Sequence, residues 1–490
     1  MKQNIKRTIL ILSIICFSTG CQKDKMPITT SSPQALQYFL QGRDLTEKLR
    51  HSESEEYFKK AIELDSNFVL AYLYMNESYI PSKDQLANLQ RAFSLIGTVS
   101  KGERLMVEAA HEGLIGNRKK QQNLLEKLVQ MYPKDERLYL LLGNFYFGQR
   151  EWEKAISIYK KALEINPQFS TPYNQIGYCY RYLGNYAEAE NALKKYVKLI
   201  PNDPNPYDSY AELLLRMGEY EVSMEQYEKA LQIDPNFIYS YIGIATDLNF
   251  KKEYEEARKE LKALYRIARG QAEMMLYHYA VAVSYADEGN LDLALAELEK
   301  RLELAENGHD TLAINGTIHS VAYILLEQGK IEEAKEKIEF AYKLYQESNL
   351  PLEIKQWSAE RIFLDRAILA LKENKLEEAR RNADMYEQEA GKRENPLLML
   401  AVREVKARID LQEQKYDRII SELEKNNLNK DDSSILYLLA QAYRGKGDIS
   451  NASKYYNLVL SLNELNSLEY VVIRHKAENE LLQLEVPEPH

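Results

Sequence analysis

Residues 136–169 read ERLYLLLGNFYFGQREWEKAISIYKKALEINPQF. Tyr139, Leu142, Gly143 and Tyr146 lie three and four residues apart, the spacing of one face of a helix. Ala155, Ile158, Tyr159, Ala162 and Leu163 repeat that spacing in the second half. Gly148 to Glu151 interrupt the two runs, so the stretch predicts two antiparallel helices joined by a turn. Small residues at Gly143, Ala155 and Ala162 let the two backbones approach closely, and Tyr139, Tyr146 and Tyr159 fill the seam. Asn166-Pro167 ends the second helix, because proline disfavours a helical residue before it and has no amide to donate.

The pattern recurs. Pro133, Pro167, Pro201 and Pro235 stand 34 residues apart. Tyr139, Tyr173, Tyr207 and Tyr241 keep the same phase, as do Trp152, Tyr186, Tyr220 and Tyr254. A 34-residue period in a polar, helix-rich chain marks a repeat array of helical hairpins.

The unit resembles the tetratricopeptide repeat consensus at Tyr139, Leu142, Gly143, Tyr146, Ala155, Tyr159, Ala162 and Pro167. The next unit matches through Tyr173, Ile176, Gly177, Tyr180, Ala189, Leu193 and Pro201, with Tyr196 where a small residue is usual. The third carries Tyr207, Ala211, Leu214, Ser223, Tyr227, Ala230 and Pro235. The resemblance implies an all-α fold, a right-handed superhelical solenoid of stacked antiparallel helix pairs. It also implies that the first helix of each pair lines a concave surface that takes an extended peptide or a partner helix. The family's inward positions give Arg137, Leu140, Asn144 and Phe147 from one unit, then Asn174, Tyr178, Arg181 and Tyr182. The next two give Asn205, Asp208, Glu212 and Arg216, then Tyr239, Thr246, Asn249 and Phe250. Asparagine amides can serve a peptide main chain without reading its side chains, and tyrosine supplies rigid contact area with a polar tip. The fifth position of these units holds Leu140, Asn174, Asp208 and Ile242, so the family's lysine-containing clamp for a terminal carboxylate is not expected.

Outward from this block (residues 102–271) the phase loosens but persists. Residues 35–101 read as two units, the second irregular after Pro81. Ala294, Ala334, Ala379 and Ala452 mark divergent units over residues 272–466, spaced by more than 34 in places through longer helices or inserted loops. Eleven or twelve units are expected, followed by a capping helix and tail over residues 467–490. A cap is needed because the last apolar face has no neighbour.

Residues 1–20 read as a targeting segment. Lys2, Lys6 and Arg7 precede a short apolar run from Ile9 to Phe17, too short to span a bilayer. Ser18-Thr19-Gly20-Cys21 resembles a bacterial lipoprotein cleavage box, with Ser18 in place of the usual leucine. That resemblance implies lipid on Cys21 and a membrane anchor; an ordinary signal-peptidase site would use the same small residues. Gln22 after the cysteine favours the outer membrane. Residues 21–34 read as a polar tether.

Once Cys16 and Cys21 are accounted for, only Cys179 remains, so no intramolecular disulfide can form, and a packed core thiol is expected. No catalytic, metal or cofactor motif stands out among the seven histidines or elsewhere. Losing the leader's three cations takes the net charge from −10 to −13, which argues against nucleic acid as a partner. The expectation is a non-enzymatic, membrane-anchored scaffold in the bacterial cell envelope that binds a protein or peptide through its concave face. The alternative is a glycan- or nutrient-binding surface lipoprotein. Only two tryptophans, Trp152 and Trp357, are available to stack on sugars, and Trp152 holds a packing position.

Overall fold

A computed structural model describes residues 25–75, 83–393, 395–425 and 431–485. Residues 1–20, expected as a leader, Cys21, expected as the lipidation site, and Pro81 lie outside these residues. Among the described residues, twelve helix pairs follow one another. The first four are α1 Pro33–Glu47 with α2 His51–Leu64, α3 Val69–Tyr74 with α4 Lys83–Ser94, α5 Lys101–Leu114 with α6 Arg118–Met131, and α7 Glu136–Gly148 with α8 Trp152–Ile165. Next come α9 Ser170–Tyr182 with α10 Tyr186–Leu199, α11 Asn205–Arg216 with α12 Tyr220–Ile233, α13 Ile238–Phe250 with α14 Tyr254–Ile267, and α15 Gln271–Asp287 with α16 Leu291–Asn307. The last four are α17 Thr311–Glu327 with α18 Ile331–Glu347, α19 Leu352–Lys372 with α20 Leu376–Gly391, α21 Pro396–Gln412 with α22 Tyr416–Glu424, and α23 Ser433–Gly445 with α24 Ile449–Leu460. A single helix, α25 Leu468–Glu485, closes the series.

Each pair packs on itself and on the next, which makes a solenoid. The seam works as its residue sizes require. A Cβ at Gly143 would stand 2.3 Å from the Tyr159 ring, and one at Gly177 would stand 2.7 Å from Leu193. Tyr159, Tyr196 and Tyr227 are fully buried in successive seams. The phased tyrosines also act across the boundary between units. Tyr139, Tyr173, Tyr207 and Tyr241 donate their hydroxyls to the carbonyls of Pro133, Pro167, Pro201 and Pro235 at 3.3, 3.4, 3.0 and 3.0 Å. The period of proline and the period of tyrosine are therefore one device that ties each first helix to the turn before it.

The wider spacing after residue 271 is taken up by longer helices. First helices α7, α9 and α13 have 13 residues each. In contrast, α15, α17 and α21 have 17 and α19 has 21.

The solenoid comes round on itself. Lys83 at the start of α4 reaches the carbonyl of Gly308, 225 residues later. The carbonyl of Ile115 accepts from both Trp357 and Arg393 at 3.3 and 2.7 Å. The last helix does more than cover the final pair, for α25 packs against α15 as well as α23 and α24. Its Arg474 pairs with Asp287 at the end of α15, and both side chains are buried.

Residues 25–32, the described part of the expected tether, do not hang free. Lys25 pairs with Glu136 at 2.7 Å, and the Met26 amide donates to Asp135 at 2.9 Å. Thr29 donates its amide to Glu103 at 2.7 Å. Thr30 and Ser31 both bind Asp65 at 2.7 Å. These carboxylates stand at helix ends, so one strap crosses three successive turns between units.

Candidate functional site

The inner face of the regular block holds a cavity of about 640 Å³. Its wall comes mainly from first helices. Asn144 and Phe147 stand on α7, Asn174, Tyr178, Arg181 and Tyr182 on α9, Asp208 and Glu212 on α11, and Tyr239 on α13. Leu49, from the turn joining α1 and α2, and His51, the first residue of α2, reach into the same cavity. They do so because the first pair bends across the block: Arg137 binds Glu47 at 3.1 Å, and Arg50 binds Asp234 at 3.1 Å.

Most polar groups of the wall are held by one another. Arg181 pairs with Glu212 at 3.1 Å and lies over the rings of Tyr178 and Tyr182 at 4.6 and 5.0 Å. Tyr182 in turn stacks on Trp152 at 4.5 Å. Asp208 is buried and accepts from Ser240 at 2.7 Å. Burial, with the nearby Glu212 charge, holds the Asp208 carboxyl well above the usual range. Burial pushes the His51 imidazole down to about 4, so it is neutral near pH 7. Asn174 is the exception. It is 1% exposed, and neither its amide oxygen nor its amide nitrogen has a hydrogen-bond partner.

Six of the expected groove residues do not line this cavity: Arg137, Leu140, Arg216, Thr246, Asn249 and Phe250. Arg137 is engaged by Glu47 and Glu136. Thr246 is buried and donates to the Ile242 carbonyl of its own helix at 2.8 Å. Asn249 accepts from Ser284 of α15 at 2.8 Å. Phe250 lies beneath α25, with Tyr470 at 6.2 Å and Arg474 over its ring at 4.7 Å. In an open superhelix these positions would face the groove; here α1 engages Arg137, and the later helices α15 and α25 cover Asn249 and Phe250.

Arg216 marks the boundary. It pairs with Asp431 and the carbonyl of Leu462, and it lines an adjoining cavity of about 510 Å³. The two cavities share Arg181, Tyr182 and Glu212 as a common wall and lie side by side; together they make the two halves of a chamber. The second half is built across the closure of the solenoid. It adds Arg150 from the regular block and Glu404, Asp431, Asp432, Glu464 and Glu469 from the C-terminal units. Burial, with the neighbouring Glu404 charge, pushes the Glu469 carboxyl up to about 7. Asp432 and Glu464 are raised by burial as well. No sequence period could have assigned these carboxylates, because glutamate and aspartate also populate every solvated helix face.

Models of the tetratricopeptide repeat match residues 135–202, 205–237 and 433–464. The chain is a tetratricopeptide repeat protein. Its matched repeats coincide with α7 to α12 and with α23 and α24. No curated protein matches the chain. Among solved structures, it is similar to a tetratricopeptide repeat protein from Parabacteroides merdae at 15% identity, covering 56% of this chain and 94% of that one with a TM-score of 0.36. It is also similar to the Cut9–Hcn1 complex of APC/C at 14% identity, covering 91% and 76% with a TM-score of 0.40. YrrB, described as a TPR protein with an unusual peptide-binding site, is 20% identical over 39% of this chain and 96% of its own, with a TM-score of 0.26.

Elsewhere in this tetratricopeptide repeat protein, Cys179 is fully buried and burial pushes its thiol up to about 12. It is a packing group, not a thiolate nucleophile. Trp357 stands 41% exposed at a cavity of about 390 Å³ with Tyr342, Tyr345 and Tyr386. Arg393 lies over its ring at 5.6 Å.

Proposed function

We propose that this protein is a non-enzymatic, membrane-anchored scaffold that holds a peptide or a segment of a protein partner in its inner chamber. Asn174 carries the reading. A buried amide without partners costs on the order of 1–3 kcal/mol. Its one acceptor and two donors complement the N–H and C=O of a peptide unit. Placed in a cavity with Tyr178, Tyr182 and Tyr239, it offers a main chain both hydrogen bonds and flat apolar contact.

The anchor is lipid on Cys21, and the setting is the bacterial cell envelope. The support is the basic start, the short apolar run and the small residues before Cys21. Lys25, four residues on, is already fastened to Glu136. Four residues of chain reach at most about 14 Å, so the solenoid would sit close against the bilayer.

Photocrosslinking in cells tests the chamber. A benzoylphenylalanine at Tyr239, which is 40% exposed at the cavity wall, should capture a protein. The same group at Tyr265, 49% exposed on α14, should not. Equal capture from both sites, or none from either, would overturn the chamber reading. Radiolabelled palmitate incorporated by the parent and absent from Cys21→Ser would establish the anchor; labelling unchanged in Cys21→Ser would remove it.

A further inference from the structure

The second half of the chamber is strongly acidic. Its wall carries six carboxylates against three arginines. The arginines are already committed: Arg181 to Glu212, Arg216 to Asp431 and Arg150 to Asp432. Glu404 is paired as well, with Arg408 at 2.7 Å. Glu464 and Glu469, which also line the cavity, are the two wall carboxylates with no ion pair among the described residues. Carboxylates held together away from bulk water repel one another, and an added cation relieves them.

The first half supplies the independent sign of a ligand, the unpartnered and buried Asn174. Asn174 and Arg181 stand seven residues apart on α9, about 10 Å along a helix. An extended chain covers that distance in about three residues. A main chain held at Asn174 thus brings a side chain about three residues away to the acidic half. The cavities, at about 640 and 510 Å³, fall within the range of ordinary ligand sites, roughly 300–1,000 Å³. They admit a short segment, not a folded domain.

We propose that the chamber selects a peptide segment bearing a lysine or arginine, with its main chain on the Asn174 amide and its cation among Asp432, Glu464 and Glu469. This rests on the peptide-holding reading above and adds to it the charge of the ligand. The closed solenoid makes the acidic half. The C-terminal units bring their carboxylates to the end of a groove that the regular repeats leave open.

The test uses the purified full chain and fluorescein-labelled pentapeptides of alanine, blocked at both ends, with one lysine at each position in turn. Matched sets carry glutamate or glutamine instead. Binding is read by fluorescence polarisation. The lysine peptides should bind at least tenfold tighter than the glutamine set, and the glutamate set should bind weakest. Glu469→Gln should weaken the lysine peptides about tenfold and leave the glutamine peptides unchanged. Glu469→Lys should reverse the preference. Asn174→Ala should weaken every set alike. Thermal melts establish that each variant is folded. Equal binding of the three sets, with Asn174→Ala still weakening all of them, would overturn the charge selection and leave the peptide-holding reading standing. No binding by any set would overturn both. Spermidine displacing the lysine peptides while Asn174→Ala has no effect would overturn the peptide and leave only a cation site.

Discussion

Arg474 on the last helix pairs with Asp287 at the end of α15, 187 residues earlier in the chain, and both side chains are buried. His475 also reaches the Asp287 carbonyl. This contact is one of those that close the repeat array, beside Arg216 on Asp431 and Leu462 and Arg393 on Ile115.

Breaking it from one side should open the solenoid at this point. Arg474→Met leaves the Asp287 carboxylate buried without its guanidinium, which costs about 3–5 kcal/mol where one partner of a buried pair is removed. Denaturant unfolding should show that loss. Small-angle scattering should show a larger radius of gyration, since α25 would no longer bridge to α15. Adding Asp287→Asn to the variant should recover part of the stability. An unchanged scattering profile with unchanged stability would mean that the pair does not hold the closure.

Asn174→Ala should behave in the opposite way. Neither end of the amide has a partner, so removing it relieves a buried polar group. Stability should stay level or rise by up to about 1 kcal/mol, while affinity for a captured peptide falls. Loss of stability together with binding would show that Asn174 serves the fold.

The regular block was legible because its contacts are local. Tyr159 meets Gly143 sixteen residues away, and a large side chain meets a small residue at the same spacing in Gly42–Phe58 and Gly177–Leu193. Asn174, Tyr178, Asp208 and Glu212 share a cavity because they share a phase on neighbouring first helices. Phe250 and Asn249 hold equivalent phases but are covered, because α15 and α25 pack over them. Nothing in one 34-residue unit encodes a partner such as Leu462, which Arg216 meets 246 residues along the chain. The acidic half of the chamber was hidden for a second reason: Glu464 and Glu469 look like any other solvated glutamates until the fold brings Arg216 and Glu212 beside them.

The phased tyrosines give a graded series. Tyr207→Phe removes a part-buried hydrogen bond to the Pro201 carbonyl and should cost about 1 kcal/mol. Tyr139→Phe, Tyr173→Phe and Tyr241→Phe remove exposed bonds and should each cost less. Thermal unfolding of the four single variants checks the order. If Tyr207→Phe proved the mildest, the bond would not be what ties first helix to turn.

Asp247 sets a pH dependence whose sign can be worked out. It is fully buried on α13, and neither carboxylate oxygen has a hydrogen-bond partner. Burial pushes its carboxyl up to about 8. In the unfolded chain an aspartate titrates near 4. The folded state therefore binds the proton more tightly than the unfolded state. Below about pH 4 both states are protonated and the group is neutral in its effect. As pH rises from about 4 to about 8 the unfolded chain gains by ionising and the folded one does not, so stability falls by a few kcal/mol over that window. Above about 8 the penalty is constant. The nearby Ser223 hydroxyl and Lys251 lower the value and Glu221 raises it; the Ser223 hydroxyl is donated to the Ala211 carbonyl, so burial decides the direction. Asp247→Asn keeps the shape and removes the titration. Its advantage over the parent should be small at pH 5 and reach its full size by pH 9, measured as the difference in unfolding free energy at each pH. A difference that stays flat across that range would mean that Asp247 is ionised in the folded protein and held by a group that stabilises its charge.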